Sequence, residues 1–251
     1  LPEGTDIVVT SPVGMEVNTS RADLLPEMLE AVLSGGAVPA RAPGFIWRLR
    51  AGVPTELRGQ VAHALPDRAA LDLTARLELR GMNWSRTRAF VHPGDNQGYI
   101  RVNLKGREQK GTVAPAAFDD LVEEISEGLA TFRDPDGTPA VAAVEQVTDV
   151  FGEGERVDRL PDLIVRWSDR PATRLEGVTS ARFGDVVRRG GASGRSGNHP
   201  EGGAWALLAP AAARHRELDR APRVSDVAAT VAALVADDAE GMSGEPLLES
   251  A

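Results

Sequence analysis

The sequence predicts an α/β fold, with strands alternating with helices in a layered arrangement. Three observations predict it. Short β-branched runs recur along the chain, amphipathic helical segments separate them, and no internal repeat suggests a solenoid instead. The length of 251 residues suffices for one large domain or two small ones with a sizeable core. We expect a single α/β domain over residues 1–251, with a helical or irregular insertion at about 37–80 where Pro and Arg are frequent.

Asp6 to Ser11 is a β-branched run leading into a Gly-containing turn, as a buried strand feeding a loop would be. Asp23 can cap a helix whose first turn tolerates Pro26. Its apolar face is Leu24, Met28, Leu29, Val32 and Leu33, and Gly35-Gly36 ends it. A weaker helical pattern runs from about Asp67 to Leu79. Gly98 to Leu104 alternates, with Ile100, Val102 and Leu104 on one face and Tyr99, Arg101 and Asn103 on the other, which predicts a half-exposed strand. Phe118, Leu121, Val122, Ile125, Leu129 and Phe132 fall at helical spacing, and Asp134-Pro135-Asp136-Gly137 then makes a turn. Strands follow near Ala142 to Val150, Leu163 to Trp167 and Ala204 to Ala209. A last helix, capped by Ser225, is expected to bury Val227, Val231, Leu234 and Val235. The strands at Ile7, Leu163 and Ala204 are expected to share one central sheet, which would bring the loop after Ser11 and the loop before Ala204 to one edge.

Composition removes several functions. The formal charge of −9 gives no positive field to attract a phosphate backbone, so no nucleic-acid polymer is expected as a partner. No apolar run approaches the roughly 20 residues of a membrane-spanning helix. With no cysteine there is no disulfide, thiolate metal site or cysteine nucleophile, so any metal must use His, Asp, Glu or hydroxyl ligands. The chain opens Leu1-Pro2-Glu3, without an initiator methionine or a signal segment, and is expected to be a fragment or a processed piece.

Among the four histidines, His199 stands out. It lies in Gly194-Arg195-Ser196-Gly197-Asn198-His199-Pro200-Glu201-Gly202, a loop leading into an apolar strand, with arginine and amide donors beside it. Such a loop can face an anion or a metal, or simply be solvated. Arg195 and Asn198 are the candidate substrate-binding residues. His63, His92 and His215 have no second ligand at useful spacing and read as surface or packing residues. The Gly-rich loop fails as a phosphate-binding P-loop, because no Gly-Lys-Ser/Thr precedes a helix. Asp134-x-Asp136-Gly137 fails as a calcium loop for want of its third acidic position and distal Glu.

Four blocks occur in order. They are Trp84-Ser85-Arg86-Thr87-Arg88-Ala89-Phe90, Gly98-Tyr99-Ile100-Arg101-Val102-Asn103-Leu104-Lys105-Gly106-Arg107-Glu108, Leu160-Pro161-Asp162-Leu163-Ile164-Val165, and Ser196-Gly197-Asn198-His199. Together they resemble the C-terminal half of alkaline-phosphatase-superfamily phosphohydrolases, closest to the type I phosphodiesterase/nucleotide pyrophosphatase group. Asp226-Val-Ala-Ala-Thr230 resembles that family's Asp-x-Ala-Pro-Thr helix start. The resemblance implies an alkaline-phosphatase-like layered sheet with helices on both faces, its N-terminal part missing here. It also implies two-metal hydrolysis of a small phosphate or sulfate ester, with zinc or another divalent metal in the intact parent and a Thr or Ser nucleophile. His199 matches the family's late metal-binding histidine.

Two departures limit the reading. The family's other C-terminal ligands form an Asp-His pair in a Ser-Asp-His-Gly-Met type of motif, whereas this chain has Ser11-Pro12-Val13-Gly14-Met15, and Pro12 and Val13 cannot bind metal. The nucleophile and the early ligands would lie upstream of Leu1. A catalytic metal needs about three protein ligands, so the isolated chain is expected to hold no metal tightly and to be inactive. The competing reading is a non-catalytic relative that serves as an anion-binding or interaction module. Ser11 is the one hydroxyl near the altered position that could substitute as a nucleophile.

Overall fold

The computed structural model describes residues 1–36, 83–94, 96–188, 197–199, 202–211, 213–236 and 240–249. The anticipated insertion at about 37–80, the helical pattern from Asp67, and His63 lie outside the described residues. The fold is mixed α/β, with small antiparallel sheets and four α-helices among the described residues. Contacts divide it into a smaller unit, Leu1–Glu16 with His199–Ala251, and a larger one, Val17–Asn198.

In chain order the elements begin with β1 (Ile7–Ser11), β2 (Glu16–Val17), α1 (Leu25–Ser34), β3 (Ala89–His92), β4 (Gly98–Val102) and α2 (Phe118–Ala130). Next come β5 (Val141–Gln146), α3 (Val147–Phe151), β6 (Leu163–Trp167), β7 (Gly177–Ser180) and β8 (Gly184–Val187). The last are β9 (Gly197–Asn198), β10 (Trp205–Ala209), β11 (Arg214–His215), α4 (Val224–Ala236) and β12 (Leu248–Glu249).

The larger unit holds the core. Its four-stranded sheet runs in the order β3-β4-β6-β5, every pair antiparallel. Ile100 and Val102 of β4 and Leu163, Val165 and Trp167 of β6 supply its buried apolar face. Helix α1 adds Leu25, Met28, Leu29 and Val32, and α2 adds Leu121, Val122, Ile125 and Leu129. Both helices bury the stripe that their 3.6-residue periodicity predicts. They approach closely at Gly128, where a Cβ would lie 2.5 Å from Val32 Cγ1. A buried ion pair braces the unit from within. Arg21, fully buried, places Nε and Nη2 on the two oxygens of Asp134 at 3.0 and 2.5 Å. Its remaining donors reach the carbonyls of Thr19, Ser168 and Arg170.

Several expectations are corrected here. Asp23 does not cap α1: its carboxylate takes a two-point contact from Arg188 at 2.6 and 2.9 Å, and Leu24 stands at the N-cap. β4 stops at Val102 rather than Leu104, and the polar face of the predicted strand is not exposed. Asn103 is buried and donates to the Thr87 carbonyl at 2.8 Å, and Arg101 is buried on Glu108 at 2.6 Å. Alternation reports which side chains share a face, but polar side chains that find partners can be buried on either face. The strand expected to reach Val150 ends at Gln146 and turns into α3. The one-sheet arrangement is replaced as well, because β6 lies in the four-stranded sheet whereas β1 pairs with β10 in a separate ribbon. Apolar runs identify strands without naming their partners.

In the smaller unit, β1 and β10 are antiparallel with Ile7 opposite Ala209, Val9 opposite Leu207 and Ser11 opposite Trp205. Period-two alternation puts Ile7, Val9, Leu207 and Trp205 on one face, all exposed. Helix α4 packs on β12, but not through the expected stripe: Val231 and Val235 are 46% and 82% exposed, and the buried residues are Asp226, Ala229 and Thr230. Ser225 falls inside the helix, and Asp226 instead reaches back to the Arg223 amide at 2.6 Å, the N3-to-N-cap half of a capping box.

Candidate functional site

The antiparallel register of β1 with β10 sets the C-terminal end of β1 beside the N-terminal end of β10, so the loops flanking them meet. The Gly14 amide donates to the Gly202 carbonyl at 3.2 Å. Gly14 is buried there, and a Cβ on it would stand 3.0 Å from the Gly202 oxygen and 3.1 Å from Gly203 Cα. These distances are tighter than ordinary contact, so glycine lets the backbones approach without a neighbour having to shift. His199 completes the junction, with Nδ1 at 2.9 Å from the Gly14 carbonyl oxygen. The loop after Ser11 and the loop before Ala204 therefore do share one edge, as the sequence suggests, even though the sheet is smaller.

The other expected participants fare differently. Asn198 ends β9 in the larger unit and is half-buried. Arg195 lies outside the described residues. Ser11 Oγ donates to the Val13 carbonyl at 2.8 Å, a local turn that gives the hydroxyl a structural task. Pro12 and Val13 stand exposed in that turn. Among the described residues, no three His, Cys, Asp or Glu side chains group so that they could hold a metal ion. Among the described donors of this site, His199 offers one potential metal ligand.

The first three sequence blocks converge inside the larger unit on a different task. Arg107 grips both oxygens of Asp162 at 2.6 and 2.7 Å, and the Val102 amide donates to the same carboxylate at 2.7 Å. Hydrogen bonding to Asp162 raises the Arg107 pKa further, keeping the guanidinium charged. Arg101 and Arg107 both contact Glu108, and Asn103 reaches the Trp84 carbonyl at 3.0 Å. Two cations face two carboxylates, so the cluster is internally neutralised and leaves no net charge for an anion. His92, at the end of β3, has its pKa lowered by partial burial and by Arg101. These blocks build the frame rather than the reacting groups.

The smaller unit has a polar hub that spacing alone did not reveal. Asp226 is fully buried and accepts from Arg220 Nη1 and Nη2 at 2.9 and 2.8 Å, from the Arg223 amide at 2.6 Å and from the Glu245 amide at 2.9 Å. These partners, Arg220 foremost, hold its carboxyl well below the usual carboxylate range. Thr230, one turn on, donates to the Asp226 carbonyl at 2.6 Å and accepts the Leu247 amide at 2.8 Å. The Thr230 bond is the i→i−4 hydroxyl-to-carbonyl contact common in helices, and residue spacing does not show that Arg220 and the Glu245 amide converge on Asp226. Compared with protein-family models, with curated proteins and with solved structures, the chain matches none.

Proposed function

We propose that this chain is the C-terminal part of a metal-dependent phosphate-ester hydrolase of the alkaline-phosphatase superfamily, in the type I phosphodiesterase/nucleotide pyrophosphatase group, and that it is inactive by itself. In this reading the α/β architecture is a portion of an alkaline-phosphatase-like layered sheet, and His199 is one ligand of a zinc or other divalent ion in the intact parent. The substrate is a small phosphate or sulfate ester, to which Arg195 and Asn198 would contribute binding groups. The observation that carries the proposal is the meeting of the His199 segment with the loop after β1 through Gly14, at 2.9 and 3.2 Å. That junction lies at one end of a two-stranded antiparallel ribbon and brings one imidazole to the loop after β1.

Pro12 and Val13, together with the engaged Ser11 hydroxyl, favour the second reading, a non-catalytic relative acting as an anion-binding or interaction module. Both readings make the isolated chain inactive. With neither an upstream nucleophile nor paired ligands, the charge stabilisation a metal supplies in this chemistry is lost along with the attacking group. The purified chain should therefore not cleave a chromogenic phosphodiester or phosphomonoester above background with added zinc. Zinc-dependent turnover that disappears in Ser11→Ala or His199→Ala would overturn the proposal of inactivity. Fusing the upstream coding sequence separates the two readings: the hydrolase reading expects turnover to return, and the module reading expects none.

A further inference from the structure

We propose that the two turns joined by the Asn103 side chain form a docking surface for an acidic segment of a partner protein, through Arg86, Lys105 and Lys110. Lys105 and Lys110 are the only lysines in the sequence, and Arg86 stands on the adjacent turn. One side-chain amide ties the turns together. Asn103 Nδ2 lies 3.0, 2.8 and 3.0 Å from the carbonyl oxygens of Trp84, Thr87 and Lys110. The Thr112 hydroxyl adds a bond to the Thr87 carbonyl at 2.6 Å. Gly111, next to Lys110, packs on Lys105, since a Cβ on it would stand 2.6 Å from Lys105 Cα.

All three cations are exposed, and among the described residues none of them forms an ion pair or a side-chain hydrogen bond. The neighbouring carboxylates are already engaged. Glu108 is held by Arg101 and Arg107, Asp162 by Arg107, and Glu124 by Arg88. Arg86, Lys105 and Lys110 are therefore a local excess of positive charge on a chain whose net charge is −9.

The size of that excess selects the partner. Charges at physiological salt interact over about 8 Å, so a short acidic segment lying on the turns meets the patch and not the rest of an acidic molecule. A lipid surface draws on clusters of about four to eight basic residues, and a nucleic acid extends its charge well beyond two turns. Trp84, half-buried and edge-on to Phe90 at 5.1 Å, gives the same turn apolar surface for a side chain of the segment. These residues all lie in the larger unit, so the surface stands whichever reading of His199 holds.

The test titrates the full chain with a fluorescein-labelled short peptide of Asp, Glu and Leu, capped at both ends, and follows anisotropy. Wild type should bind it, and the same peptide with Asn and Gln in place of the acids should not bind. Each exposed ion pair changes affinity by about two- to fivefold. Lys105→Gln with Lys110→Gln should therefore weaken binding about four- to twentyfold, whereas Lys105→Arg with Lys110→Arg keeps the charge and should stay within about twofold. Acetylation with an amine-reactive ester, whose side-chain targets in this sequence are those two lysines, should match the Gln pair without any substitution. Absence of binding at about 1 mM peptide would overturn the inference. So would indifference to the Gln pair or to acetylation, or an Arg pair as weak as the Gln pair. Vesicles of phosphatidylcholine with phosphatidylserine supply the last arm: tighter binding to them than to the peptide, lost in the Gln pair, would overturn the acidic segment in favour of a membrane surface.

Discussion

Replacing Asp226 with Asn should destabilise the smaller unit by about 3 kcal/mol at neutral pH. Both carboxylate oxygens receive two donors each, one from Arg220 and one from a backbone amide. Asn presents an NH2 group in place of one oxygen, so two donors would face a donor and an ion pair would disappear. Breaking a buried pair from one side costs about 3–5 kcal/mol. The lower end applies because Arg220 remains 27% exposed and keeps Glu245 at 3.1 Å. The pH dependence has a definite sign. The folded-state pKa of Asp226 lies below its unfolded value, so its contribution is present above the ordinary carboxylate pKa, about 3.9, and is lost as pH falls through the folded value. The gap between wild type and variant should hold constant from about pH 7 to pH 5 and narrow below about pH 4. Urea titrations at several pH values, read through the exchange of the Arg223 and Glu245 amides, measure it. A loss under about 1 kcal/mol, or a gap unchanged in acid, would refute the assignment of Asp226 as the unit's charged anchor.

Arg21→Met should cost the larger unit about 3–5 kcal/mol by leaving the buried Asp134 carboxylate without its guanidinium, and adding Asp134→Asn should recover part of that loss in urea unfolding. Gly128→Ala should destabilise by about 1–3 kcal/mol despite alanine's helix preference, because its methyl meets Val32, and Val32→Ala in the same chain should relieve the clash. Asp162→Asn should loosen the Arg107 contact and expose the Val102 amide, seen as faster exchange at that amide with the α2 amides unchanged.

Legibility in the sequence followed the physics of each element. Helix α2 was readable because six apolar residues recur at helical spacing and all but Phe118 are buried. Strands β1, β4 and β6 were readable from β-branched or alternating runs and β10 from an apolar run, but their pairing was not, since pairing depends on long-range register that no local pattern encodes. The stripe on α4 misled because valines at helical spacing look the same whether or not a partner covers them, and there the buried residues are Asp226, Ala229 and Thr230. Of the site, the loop holding His199 and its meeting with the loop after β1 were legible. The Gly14 carbonyl was not, because backbone acceptors leave no trace in residue identity.

The two units differ in how they are stabilised, and this bears on where function can sit. Among the described residues, the buried apolar side chains belong almost wholly to Val17–Asn198, while the smaller unit contributes Ala229, Leu247 and Leu248. Burial of apolar area is the dominant favourable term in folding. The smaller unit is therefore held more by polar contacts, those of Asp226, Thr230 and the Gly14 junction, around a ribbon whose Trp205 is 56% exposed. A structure so divided should open in parts, with the unit of fewer apolar contacts opening first. His199 lies in that unit. In the proposed reading the site therefore sits in the part of the fold that opens first, from which binding loops are commonly drawn. The Gly14 carbonyl, 2.9 Å from His199 Nδ1, ties that ring to the loop after β1.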